Sequence, residues 1–221
     1  MVIHEGEGES MHSVSRTIAG ICLILGPALQ AISTFYWTDR YQGITAGTLI
    51  VVATTCWLVG LVAVYRIVEP RVPRYAAIAL PVAIYGCVGG ASFGLQGMHE
   101  ELFNVSHTEA VRLIQQHPAA AYVTFWFAGP AFPLSLFVLG VVLTRIRAVP
   151  RPIGVLLFVS AIAFPISRVP REIAIAHLAD FALLVPFAYL GARIALGHPV
   201  LTPAPDRSTA ALPDSPMSTR Q

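Results

Sequence analysis

Lysine is absent: all 14 basic residues of this 221-residue chain are arginines. Charge of either sign is scarce, at 12% of residues, about half of the roughly 25% found in soluble domains. A water-soluble fold of this length would lack the polar residues to cover its surface. The arginine-only usage points to a GC-rich bacterial genome. With a net charge of +2 and no basic cluster, no nucleic-acid partner is expected. Cysteine is scarce as well. Cys22, Cys56 and Cys87 each fall inside an apolar run and form no CxxC pair, which excludes a thiolate metal site and a disulfide framework. They read as small apolar packing groups. Before Met11 the chain carries Glu5, Glu7 and Glu9 but no arginine, so the basic start of a secretory signal is missing. The first apolar run is long enough to span, and an uncleaved first helix is expected.

What is present is apolar length. Hydrophobic residues make up 55% of the chain and the mean hydropathy is +0.67. Six runs reach or approach the ~20 residues needed to cross a bilayer core: Ile18–Trp37, Ala46–Tyr65, Tyr75–Leu95, Ala119–Leu143, Pro152–Ser167 and Ile173–Leu196. The fifth is short enough to be either a span or a re-entrant segment. The class is therefore an all-α, polytopic integral membrane bundle of six transmembrane helices, with the lipid bilayer as its first partner. The segments expected are a cytoplasmic N-terminus at 1–16, a membrane domain at 17–197 and a disordered, Pro-rich cytoplasmic tail at 198–221. A loop at 96–118 would lie outside.

Arginine placement supplies the orientation. Arg16, Arg66, Arg71, Arg74, Arg145, Arg147, Arg151, Arg193, Arg207 and Arg220 would share one side, against Arg40, Arg112, Arg168 and Arg171 on the other. By the positive-inside rule both termini are cytoplasmic, in a bacterial cytoplasmic membrane. Tyr36, Trp37 and Tyr41 would lie at the outer interface and Tyr65 and Tyr75 at the inner one, where amphipathic rings are favoured. In the outer loop Ser106-His107-Thr108-Glu109 has the capping-box pattern, predicting a short helix that ends near Pro118. No internal repeat supports an inverted-repeat transporter.

Gly86, Gly90 and Gly94, spaced by four, put three bare positions on one helical stripe. Such a stripe lets another helix come close, either within the bundle or in a homo-oligomer. Pro27, Pro130, Pro133, Pro165 and Pro186 punctuate four spans, and each removes a backbone donor.

Asp180 is the costliest residue. It lies inside the last apolar run with His177 three residues before it, and a carboxylate there costs roughly 2.5–3.5 kcal/mol on insertion scales. The topology gathers further polar groups at the same outer end: Gln30, Gln96, His99, Glu100, Glu101, Arg168, Arg171 and Glu172. In the plainest reading Asp180 pairs with His177 or Arg171 and holds the packing together, while the other charges sit in headgroup water.

As a function, the sequence favours an outward-facing polar pocket that binds a small apolar or amphipathic molecule. Gln30, Gln96, His99, Glu101 and Arg171 would be its ligand-binding groups. The alternative is an enzyme in the same pocket, with Asp180, Glu100 and His177 as acid and base on an isoprenoid or lipid substrate. That layout resembles the small polytopic membrane terpene cyclases, in bundle size and in the use of carboxylates, with no family motif matched residue by residue. An assembly subunit or a proton-linked transporter remains a further alternative, although few ionisable groups line the inner half. His99, Glu100, Glu101, His177 and Asp180 could ligate zinc by type. Without HExxH or a His pair one turn apart, neither a metal nor another cofactor is expected.

Overall fold

A computed structural model describes residues 6–38, 41–168, 172–198 and 200. Among these the chain is all helical, with α1 at Gly6–Thr34, α2 at Ile44–Val68, α3 at Pro73–Leu102 and α4 at His107–Gln115. There follow α5 at Pro118–Ala121, a π-helical segment at Tyr122–Phe127, α6 at Ala128–Arg145, α7 at Arg151–Arg168 and α8 at Ile173–Ala195. Six stretches are long and apolar enough to cross a bilayer, with Pro118–Arg145 counting as one. The short fifth run is an unbroken helix of 18 residues. That is about 27 Å at 1.5 Å per residue, close to the hydrocarbon thickness, so it has the form of a span rather than of a re-entrant segment.

Local chemistry explains most of the boundaries. Pro73 opens α3, where its missing N–H has no helical partner to lose. The third helix runs to Leu102, seven residues beyond the apolar run, because Gln96 and Glu100 bond each other one turn apart. Asn104, at φ 54°, then ends it in the left-handed region that Asn tolerates. Half of the expected capping box forms. Ser106 Oγ accepts the Glu109 N–H at 3.3 Å, but the Glu109 carboxylate turns forward to a bidentate pair with Arg112. The π-helical turn precedes Pro130, whose ring cannot approach the carbonyl one turn back, and the preceding turn widens. Helix α1 begins ten residues before the expected end of the N-terminal segment. The Pro-rich tail lies outside the described residues except for His198 and Val200, and Val200 is buried against the core.

The spans pack as a closed ring. Each touches its neighbour in sequence, α3 meets α6 across the α4–α5 connection, and α8 closes on α1. Glycines set the closest approaches. A Cβ at Gly20 would lie 2.5 Å from the Gly191 carbonyl, and one at Gly191 the same distance from the Gly20 carbonyl. The Gly86, Gly90 and Gly94 stripe also works within the chain. Gly86 faces the Phe132 backbone, Gly90 the Thr54 side chain and Gly94 the Gly47 carbonyl. Helix α3 is thereby held between α2 and α6. The centre of the ring is filled by Trp57, fully buried and edge-on to Phe187 at 4.4 Å and Phe132 at 5.3 Å, geometries that favour aromatic pairs. Gly26 makes room for the indole.

Tyr65, expected at an interface, is buried in this core, and Tyr75 packs against it. Of the other residues expected in aromatic belts, Tyr36 is half exposed, and Trp37, Tyr41 and Tyr75 are partly buried. The up-and-down path puts Thr34, Ile44, Leu102, Pro118, Arg168 and Ile173 at one end of the ring, opposite the end that carries α1's start and α8's finish. It is called the distal end below.

Candidate functional site

The distal end holds two polar clusters rather than one. The first joins α1, α7 and α8. Asp180 is 1% exposed. One carboxylate oxygen accepts from the Arg168 guanidinium and the other from the Thr34 hydroxyl at 2.7 Å. Arg168 also donates to the Thr34 oxygen at 3.2 Å. The guanidinium lies between the Trp37 and Phe164 rings, 4.6 and 4.8 Å from their centroids, so its charge is held by π-faces as well as by the carboxylate. Its Nε is buried with no partner. Gln30 is buried one turn below Thr34, and its carbonyl accepts from the Ser33 and Thr34 hydroxyls.

The partner expected for Asp180 is therefore corrected. His177 turns away and lies against Phe35, ring centroids 4.2 Å apart, its Nδ1 buried without a partner. At i and i+3 the two side chains stand about 60° apart on one face of α8, Asp180 meeting Thr34 and His177 meeting Phe35 at the end of α1. Arg171 lies outside the described residues. Arg168 is the residue that reaches Asp180, because α7 remains helical through it and points its side chain across to α8.

The second cluster joins α3, α4 and the α1–α2 connection. Glu100 is also 1% exposed. Its Oε1 pairs with His107 Nδ1 at 2.6 Å and accepts from Gln96 Nε2 at 3.3 Å, while Oε2 accepts the Gln42 N–H at 3.4 Å. Glu101, one residue on and about 100° round the helix, accepts the Ile44 N–H at 2.6 Å. It thus caps α2, where unpaired donors and the helix dipole favour a carboxylate. Glu101 is exposed and does not line the groove described below. Gly97 lets the connection cross closely, since a Cβ there would lie 2.5 Å from Gln42. On α4, outside the spans, the Arg112 guanidinium holds the Glu109 carboxyl below its usual range.

A groove of about 440 Å³ opens beside the second cluster. Its floor is α3, through Ser92, Leu95, Gln96, His99 and Glu100. Ala110, Leu113 and Ile114 of α4 form its roof, and Thr124 and Phe125 of the π-helical segment form one wall. No residue of α4 is fully buried: Ala110, Val111 and Ile114 are partly covered, and Leu113 is exposed. Gln96, His99 and Glu100 thus come together on one groove, whereas Gln30, His177 and Asp180 belong to the other side of the ring. Among the described residues, no three His, Cys, Asp or Glu side chains gather as a metal site would require.

Sequence reasoning missed Thr34, Gln42 and His107 as cluster members. His107 was legible only as part of the capping pattern, and a backbone donor such as that of Gln42 leaves no mark in a sequence. The chain matches no protein-family model, and no curated protein or solved structure is significantly similar to it.

Proposed function

We propose that this protein binds a small apolar or amphipathic molecule in the groove between α3, α4 and the π-helical segment. The observation that carries the reading is the unfilled space itself. Leu95, Phe103, Val105, Leu113, Ile114 and Phe125 face about 440 Å³ that none of the described residues occupies, with the buried Glu100 and Gln96 at its floor. That volume and that mix of apolar wall with few polar groups suit a small-molecule pocket. The enzyme reading loses its support at Asp180, whose two oxygens are taken by Arg168 and Thr34 and which lines no part of the groove.

The arginine distribution supports cytoplasmic termini, which would turn the groove outward in a bacterial cytoplasmic membrane. A reporter fused at Arg147 should read cytoplasmic, and periplasmic signal there would reverse the orientation.

The binding test uses the full chain in lipid nanodiscs and an alkane probe bearing a diazirine. Photolysis should place adducts on Leu95, Phe103, Leu113 or Ile114, and Ala110→Trp, which fills the groove, should suppress them. Adducts spread evenly over outward residues such as Ile78, Leu134 and Leu178, each more than half exposed, would sink the reading.

A further inference from the structure

The end of the ring opposite the distal one concentrates positive charge on two connections that the fold fastens together. We infer that these connections form a docking surface for the phosphate head groups of anionic phospholipids. The inference is independent of the groove and of which leaflet this end faces.

Residues 66–74, around the α2–α3 turn, hold Arg66, Arg71 and Arg74, and residues 145–151, around the α6–α7 turn, hold Arg145, Arg147 and Arg151. Glu69 is the sole acidic residue in either segment. Arg71 joins the two turns, donating to the Ile146 carbonyl at 3.0 Å. Ala148 and Val149 are buried in the core and Val72 packs against it, so both turns are anchored from beneath. The other five arginines are exposed. Among the described residues none of those five has an acidic partner.

The backbone adds to the argument. Arg147 holds φ 55°, a left-handed conformation that glycine adopts at far lower cost, so a side chain is kept there against the backbone's preference. Arg74 and Arg151 stand in the first turns of α3 and α7, and neither first turn contains an acidic residue. The helix dipole disfavours a cation at that end, and an anion bound by the guanidinium offsets the conflict.

Position supplies the partner. Helix α2 has 25 residues, about 37 Å at 1.5 Å per residue against a hydrocarbon core of about 30 Å, so its end reaches the head-group level. Lipid phosphates are already concentrated there. A guanidinium can take two phosphate oxygens at once, and each basic residue near an anionic surface is worth about a fivefold gain in binding.

The test places the full chain in phosphatidylcholine nanodiscs with a minor fraction of a lipid bearing a head-group diazirine, either phosphatidylglycerol or phosphatidylcholine. At low salt, phosphatidylglycerol should label residues 66–74 and 145–151 at least about fivefold more than phosphatidylcholine does. The ratio should fall towards one in about 1 M sodium chloride, where the Debye length is about 3 Å. Arg74→Gln, Arg145→Gln and Arg147→Gln combined should also bring it towards one, with thermal unfolding in pure phosphatidylcholine unchanged because these side chains are exposed. Equal labelling by the two lipids, a ratio indifferent to salt, or a ratio unchanged in the triple variant would each overturn the inference. Should the triple variant fail to fold, the salt dependence of the wild type still decides. Displacement by inorganic phosphate beyond that caused by sodium chloride of equal ionic strength would make this a site for soluble anions and overturn the lipid assignment.

Discussion

Replacing Asp180 with leucine should be among the most destabilising single changes in this protein. The carboxylate is fully buried and its Arg168 partner is 16% exposed. The guanidinium is enclosed by Trp37 and Phe164 and cannot retreat to water without dismantling that packing. Asp180→Leu leaves an uncompensated buried cation whose Nε already lacks a partner. Removing one member of a buried pair costs about 3–5 kcal/mol, and at roughly 2–4 °C per kcal/mol for a chain of this size the melting temperature should fall by about 10 °C. Arg168→Met in the same protein removes the orphaned charge and should recover most of the loss, because apolar replacement of a whole buried pair is often neutral. Thr34→Val deletes one interhelical hydrogen bond and should cost about 0.6–1.7 kcal/mol. Thermal unfolding of the wild type, Asp180→Leu, Arg168→Met and the double variant in one detergent, followed by tryptophan fluorescence, gives the cycle, with Thr34→Val measured beside it. A loss below about 1 kcal/mol for Asp180→Leu, or a double variant as unstable as the sum of its singles, would refute the argument that the pair is coupled.

Two further outcomes follow from other parts of the bundle. Gly191→Ala should cost about 1–3 kcal/mol, because its Cβ meets the Gly20 backbone, which cannot yield. Gly90→Ala meets only the Thr54 methyl and should stay within about 1 kcal/mol of wild type, a contrast the same unfolding assay reads. On α4, Glu109 is depressed by Arg112, so its contribution is present above the ordinary Glu range. It is lost as pH falls through the lower folded value. Amide exchange across α4 should accelerate on that acid side more in the wild type than in Glu109→Gln, and an identical pH profile in both would remove the pair from the account.

The spans were legible because length and apolar composition suffice for a membrane helix, and α4 because Ser106 and Glu109 carry a local capping signal. Asp180 was legible as a costly residue, but its partner was not. Arg168, Arg171 and His177 all lie within twelve residues of it, and the choice depends on where α7 stops and which face of α8 meets α1. Thr34 is 146 residues away, beyond any local pattern. Glu100 and Glu101 show the same limit more sharply. Adjacent on one helix, they point about 100° apart, and only the packing of α2 and α4 sends one to His107 and the other to Ile44. The glycine stripe left dimer and bundle open in sequence, and the approach of α2 and α6 brings it into the bundle.

The Arg168–Asp180 pair also bears on how the chain reaches the membrane. Its members are 12 residues apart, across the α7–α8 connection, so it can form inside that hairpin alone, whereas the Thr34 bond waits for the ring to close. A lone sixth span would present the insertion machinery with an unpaired carboxylate costing roughly 2.5–3.5 kcal/mol. Delivered as half of a hairpin, it carries its own counter-charge. Insertion of an α7–α8 hairpin should therefore drop when Arg168 is replaced by Met and recover when Asp180→Leu is added. The last two spans would then enter the bilayer as one unit, with the charge that endangers one helix cancelled by the helix made just before it.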